Sequence, residues 1–291
     1  MAEETREGEA GERAANGDLA LERLLQHLSA TRGFDFTAYK RSSLARRLQL
    51  RMRALGLETY DDYMDRLEAD GDEFNRLFDT LLINVTGFFR DMPAWEYLRQ
   101  RVIPEIVARK QNDGVRVWCA GCATGEEAYT IAMLFAEQMG PRAAGHLKVY
   151  ATDVDEDALN TARTAIYPER TVASVPEALR GRFFESVDGR RIVQPDLRRV
   201  VIFGRHDLLR DAPISRLDVL ICRNTLMYFT AESQARILQR FLFALDDNGI
   251  LFLGKAESLL TAHAGVTPVD PKLRIFRKTP RPSLRDRLIA T

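Results

Sequence analysis

The chain has 291 residues, 45% hydrophobic and 29% charged, which are the proportions of a globular protein large enough to bury a core without disulfides. Lys plus Arg and Asp plus Glu stand at 42 each, so the formal net charge is zero, which argues against a generally basic nucleic-acid coat. No apolar run reaches the ~20 residues of a membrane span, the acidic start has no apolar stretch of a secretory signal, and three cysteines suit a reducing compartment. The expectation is a cytoplasmic protein with no membrane insertion.

Residues 1–17 are Glu, Gly, Ala and Arg without apolar periodicity and are expected to form a disordered tail. Residues 18–83 predict an all-helical domain. Leu21, Leu24, Leu25 and Leu28 repeat at helical spacing, and Leu44, Leu48, Met52 and Leu55 form a second stripe from about Ser42 to Leu55. Two further helices are predicted over Tyr60–Leu67 and Asp72–Ile83. Residues 84–110 read as a linker carrying Asn84-Val85-Thr86-Gly87-Phe88-Phe89-Arg90-Asp91.

From residue 111 to 291 the texture changes. β-rich runs at 115–120, 147–153, 200–204, 217–222 and 250–254 alternate with helical patterns. The last of these helices spans Ala231–Leu245, with Thr230 as its N-cap. This alternation predicts an α/β domain with a doubly wound, mainly parallel sheet covered on both faces. Residues of about 167–199 break the alternation, and Asp188-Gly189 predicts a hairpin turn, so a small antiparallel β insertion is expected there.

The turn Ala120-Gly121-Cys122-Ala123-Thr124-Gly125 follows the first strand, where ligands of such sheets lie. It is no P-loop, because Glu126 and Glu127 stand where Lys and Ser or Thr belong, and it lacks the GxGxxG spacing of a dinucleotide site. Two carboxylates at a helix N-terminus repel a pyrophosphate. They suit a nucleoside that lacks phosphates and carries positive charge, such as S-adenosylmethionine. Asp153, ending the second strand, is placed to accept hydrogen bonds from a ribose. The bland alternative is that the glycines only pack strand against helix. A third reading takes Trp118-Cys119-Ala120-Gly121-Cys122 as a thioredoxin-type redox site, which the strand position of Cys119 disfavours. No metal site is expected, since His27, His146, His206 and His263 lack ligand spacing.

Four segments together carry a resemblance. Asn84–Asp91, Cys119–Tyr129, Ala151–Asp155 and Cys222-Arg223-Asn224-Thr225-Leu226-Met227-Tyr228-Phe229 resemble, in order and spacing, the motifs of CheR-type chemotaxis receptor methyltransferases. Ala128 departs from the family's usual Pro. The resemblance implies a Rossmann-like methyltransferase sheet and methyl transfer from S-adenosylmethionine to glutamate side chains of chemoreceptors, with S-adenosylhomocysteine as product. It implies that Asn84, Thr86, Arg90, Gly121, Glu127, Asp153, Asp207, Leu208, Arg223 and Asn224 line the cofactor pocket, and that Arg90 and Tyr228 lie nearest the methyl. It also suggests a monomer. On residues alone, Arg90 pairing with Asp91 or Glu96 and a core role for Tyr228 stay open, as does a non-catalytic relative that only binds the cofactor.

Lys40, Arg41, Arg46, Arg47, Arg51 and Arg53 fall in one stretch without an acidic residue. Arg46 and Arg53 point away from the apolar stripe and Arg47 and Arg51 flank it. Arg46, Arg47, Arg51 and Arg53 are expected to dock Glu-rich cytoplasmic receptor helices rather than nucleic acid. Members of the resembled family that bind a receptor-tail peptide at this subdomain tend to have a longer, Gly-richer loop than Ser186–Arg191, so the resemblance implies that no such peptide is bound there.

Overall fold

The structure is a computed structural model that describes residues 18–31, 35–82, 84–110, 113–255 and 265–280. The expected tail at 1–17 lies outside the described residues. The chain divides into two compact units, Met1–Ile83 with Tyr228–Ser233, and Asn84–Met227 with Gln234–Thr291.

Among the described residues the first unit holds four helices: α1 (residues 18–31), α2 (Arg41–Ala54), α3 (Tyr60–Ala69) and α4 (Glu73–Leu81). Leu21, Leu24, Leu25 and Leu28 of α1 and Leu44, Leu48 and Met52 of α2 are buried, as their spacing requires. Thr59 caps α3 by accepting from the Asp62 N–H at 3.1 Å. The unit borrows residues from far along the chain. The Lys40 N–H donates to the Tyr228 carbonyl and the Thr230 N–H to the Ala38 carbonyl, both at 2.9 Å, while the Tyr39 and Phe229 rings lie 4.7 Å apart. Thr230 accepts from the Ser233 N–H at 3.3 Å, capping the helix that follows.

In the second unit, residues 92–109 form one helical run: α5 (Met92–Tyr97), a π-turn at Leu98–Val102, and α6 (Ile103–Arg109). Phe88, Phe89, Trp95 and Leu98 are buried there. The sheet contains β1 (Val115–Ala120), β2 (Leu147–Asp153), β6 (Val201–Arg205), β7 (Leu217–Cys222), β8 (Leu245–Leu253), β9 (Val266–Asp270) and β10 (Ile275–Lys278), in the order β6-β2-β1-β7-β8-β10-β9. The first five are parallel, and β10 runs antiparallel to β8 and β9. The helices that follow are α7 (Glu126–Met139), α8 (Ala143–His146), α9 (Glu156–Thr164), α10 (Glu169–Val172), α11 (Glu177–Phe183), α12 (Pro195–Arg198) and α13 (Ala231–Ala244). β1 and β7 are buried along nearly their whole length, as strands covered on both faces must be. β9 and β10 were not expected: Pro268 interrupts the strand pattern, and the sheet tolerates it because β9 is an edge strand.

A second sheet, β3-β5-β4, joins Ile166–Pro168, Arg190–Val193 and Phe184–Val187. Asp188 and Gly189 both have positive φ (48° and 72°) between β4 and β5, the conformation of a two-residue hairpin loop. Phe88 meets the insertion edge-on, with Tyr167 at 5.0 Å and Phe184 at 5.5 Å.

Candidate functional site

The parallel strands end together. Ala120, Asp153, Arg205 and Cys222 close β1, β2, β6 and β7, and the strand order reverses direction between β1 and β7. A crevice at such a switch point is where doubly wound sheets bind ligands. The sequence-predicted residues Gly121, Asp153, Asp207, Leu208, Arg223 and Asn224 all lie just at or beyond these four ends.

Asp153 organises the crevice. Its Oδ2 accepts from the Ala123 N–H at 2.8 Å, and its Oδ1 from Val154 at 2.7 Å and Asp155 at 3.1 Å. Burial pushes its carboxyl above the ordinary value, and these N–H groups pull the other way. Asp155 caps α9 through the N–H groups of Asp157 and Ala158, and its other oxygen accepts from Asn84 Nδ2 at 2.6 Å. Asn84 is thereby fixed beside β2, and Thr86 follows it, partly buried. Beyond β6, Asp207 Oδ1 accepts from Leu209 and Arg210 and shapes the turn that buries Leu208. The His206 N–H donates to the Asp153 carbonyl at 2.9 Å, which keeps this turn against β2.

The glycine turn departs from expectation in one respect. A Cβ on Gly121 would meet Thr225 Oγ1 at 2.3 Å, and one on Gly125 would meet the Ala162 Cβ at 2.8 Å and Phe203 at 3.2 Å. Both glycines (φ +77° and +92°) make room for protein packing, and the Gly121 N–H is already given to the Thr152 carbonyl at 2.8 Å. Only the remaining Gly121 main chain is left to approach a ligand.

Arg223 is the hub on the other side. It is 6% exposed and donates to Asp91 at 2.5 Å, to Glu127 at 3.2 Å and to the Arg90 carbonyl at 3.1 Å. Its Nε has no hydrogen-bond partner among the described residues. Asp91 also accepts from Lys255 at 2.7 Å, and this bond, with the Arg223 charge, holds its carboxyl below the usual range. Arg90 is exposed and does not pair with Asp91 or Glu96 by hydrogen bond; it donates to the Val85 carbonyl at 2.8 Å and closes the 85–90 loop. Trp95 Nε1 secures the Arg90 carbonyl at 2.8 Å. Asn224 follows Arg223 in the left-handed conformation (φ 58°). The partnership of Arg223 with Asp91 is not legible in the sequence, where Arg90 pairing with Asp91 or Glu96 is only one open alternative and the true partner stands 132 residues away.

Glu126 and Glu127 part ways. Glu126 is buried, accepts from Thr124 Oγ1 at 2.7 Å, and has its carboxyl pushed up by burial. Glu127, partly exposed at the start of α7, is the carboxylate that remains at the crevice. The donor set fits S-adenosylmethionine: Asp153 and Glu127 offer acceptors to hydroxyl and ammonium groups.

The redox reading fails. Cys119, Cys122 and Cys222 are buried thiols without disulfides, and burial pushes Cys119 and Cys122 well above the ordinary thiol value. Cys119 lies inside β1, as expected, with no helix N-terminus to stabilise a thiolate.

Tyr228 belongs to the first unit, where the Arg47 guanidinium lies 4.7 Å from its ring centre. The basic stretch also needs correction. Arg47 is buried and donates to the Leu81 carbonyl. Arg51 makes a two-pronged bond to the fully buried Glu73 at 2.7 and 2.6 Å. Neither is available for docking, because each flank of the apolar stripe faces α4 rather than solvent. Arg46 and Arg53 are exposed.

Residues 19–82 match the family described as CheR methyltransferase, all-alpha domain, and residues 84–271 match CheR methyltransferase, SAM binding domain. The chain is 33% identical over 229 residues to a chemotaxis protein methyltransferase of Listeria innocua, covering 78% of this chain and 86% of that one. It is 32% identical over 255 residues to the chemotaxis protein methyltransferase of Escherichia coli, covering 85% and 87%. A 104.1 kDa uncharacterized protein of Rhodobacter capsulatus is 37% identical over 262 residues, and there the chain spans 27% of the relative's length. No described helix is long and apolar enough to cross a membrane. With both of its domains matched in order, the chain belongs to the CheR methyltransferase family, whose second domain binds S-adenosylmethionine.

Proposed function

We propose that this chain methylates glutamate side chains on the cytoplasmic helices of chemoreceptors, forming glutamate methyl esters. The observation that carries the reading is the exposed Arg90 guanidinium on a loop tied by Arg223 to Glu127 and, through Asn84 and Asp155, to the Asp153 strand end. S-adenosylmethionine supplies an electrophilic methyl, and Asn84, Thr86, Glu127, Asp153, Asp207, Leu208 and Asn224 are the residues that hold it. In that role Glu127 would offer an acceptor to its ammonium group and Asp153 acceptors to its ribose hydroxyls.

The acceptor carboxylate is already ionised at neutral pH, with a reference pKa of about 4.3, so no general base is required. Arg90 orients that carboxylate through its planar fork. Because its guanidinium also holds Val85, it positions the acceptor oxygens without fully neutralising them. Placement and exclusion of water do the rest. Arg46 and Arg53 steer the enzyme onto Glu-rich helices. The protein works in the cytoplasm as a monomer.

The test is transfer of labelled methyl from S-adenosylmethionine to receptor-bearing membranes, with the product recovered as base-labile ester. Wild type labels them, and Arg90→Ala lowers the rate at least about a hundredfold with S-adenosylhomocysteine affinity retained. A wild-type protein that binds S-adenosylhomocysteine yet labels no receptor is a regulatory relative, and the proposal is then wrong.

A further inference from the structure

The chain as a whole is electrically neutral, yet residues 163–205 hold nine arginines against five carboxylates. That segment leads into β6, the terminal strand of the seven-stranded sheet. β6 pairs only with β2, and the ladder is bounded by the Val149 N–H on the Val200 carbonyl and the His206 N–H on the Asp153 carbonyl. Main-chain groups in a strand alternate sides. The N–H and C=O groups of Ile202 and Gly204 therefore face β2, and those of Val201, Phe203 and Arg205 face outward, with no partner strand among the described residues.

This edge is bare by the usual standards. Ile202 is 46% exposed, and a Cβ on Gly204 would meet nothing within 4 Å. Beside it lies a cleft of about 500 Å³ lined by Val201 and Phe203 together with Tyr129, Pro195, Arg163, Arg198 and Arg199. Arg199 holds the exposed Asp196, and Arg163 holds the exposed Glu156 together with the Asn160 Oδ1 at 2.8 Å. Pairs so exposed are worth little and exchange readily. Arg198 donates only to the Arg163 carbonyl, and Arg205 is exposed at the far end of the strand. Outward backbone groups, apolar side chains and arginines thus fall on the same residues and their neighbours.

We propose that β6 is a docking edge for an extended acidic peptide, which adds to the sheet as an eighth strand and places alternate carboxylates against Arg163, Arg198 and Arg199. Main-chain bonds to Val201, Phe203 and Arg205 give the affinity, and the arginines select an acidic sequence. This site lies on the large sheet and is separate from the β3-β5-β4 insertion and from the strand-end crevice, so it stands whether or not the methylation proposal does.

The experiment uses the whole protein, ¹⁵N-labelled, and a fluorescent ten-residue peptide of alternating Glu and Val, with a Lys-Val peptide as control. Saturable binding of the Glu peptide alone is expected, weakened by salt and at least about tenfold by Arg198→Glu with Arg199→Glu. Affinity for S-adenosylhomocysteine should be unchanged in that variant, which reports that it is folded, and Arg198→Gln with Arg199→Gln should give an intermediate loss. Exchange of the Phe203 and Arg205 amides should slow on binding. Absence of saturation, equal binding of the Lys peptide, protection in Phe184–Val187 instead of β6, or displacement by S-adenosylhomocysteine would each overturn the proposal.

Discussion

The Arg223 guanidinium reaches the Asp91 carboxylate at 2.5 Å across 132 residues of sequence. The same side chain holds Glu127, so one buried cation fixes both the Arg90 loop and the start of α7. Removing one member of a buried pair leaves the others uncompensated. Arg223→Ala should therefore destabilise the protein by about 3 kcal/mol. Asp91→Asn should cost less, because Glu127 remains for Arg223. Denaturant midpoints of the two variants and the double variant check this, and the losses should be clearly non-additive.

Asp153→Asn keeps the shape of the β2 end but exchanges an acceptor oxygen for an amide donor. It should weaken S-adenosylhomocysteine binding at least about tenfold, measured by calorimetry, because a hydroxyl partner then meets a donor where it needs an acceptor. Unaltered affinity would place the nucleoside elsewhere.

Glu73 gives the first unit an acid-sensitive joint. Bonds from Arg51 hold its carboxyl below the ordinary 4.5, with the Tyr63 hydroxyl assisting at 2.9 Å. A lowered folded-state value means that the unfolded chain takes up protons first. The stabilisation is therefore complete above 4.5 and is lost as pH falls through the lower folded-state value. Urea midpoints should drop steeply below pH 4.5 in wild type and more gently in Glu73→Gln, which should itself lose about 3 kcal/mol at pH 7.

Gly125→Ala should cost about 2 kcal/mol, since its Cβ would press on the Ala162 Cβ at 2.8 Å from a backbone at φ +92°. Thermal melting measures it. The buried thiols make an independent test: native protein should be inert to Ellman's reagent, and Cys119→Ser with Cys122→Ser should retain methyl transfer.

The strand ends of β1, β2 and β7 and the turn at Asp188-Gly189 were legible in the sequence because each is a local pattern: β-rich runs closing on small or acidic residues, and a dipeptide suited to positive φ. The helical stripes of α1 and α2 were legible for the same reason. Long-range choices were not. Arg47 and Arg51 look like surface charges on a helical wheel, and only the Leu81 carbonyl and Glu73 turn them inward. The service of Gly121 to Thr225 rather than to a ligand depends on a residue over a hundred positions away. Pro268 concealed β9, which is a strand only because β10 pairs with it.

The helical unit closes with Tyr228, Phe229 and Thr230, which dock on Ala38, Tyr39 and Lys40. During synthesis the four N-terminal helices therefore leave the ribosome without their last piece and wait for most of the methyltransferase fold to follow. A cut after residue 83 would strand the helices with an uncovered aromatic seat at Tyr39.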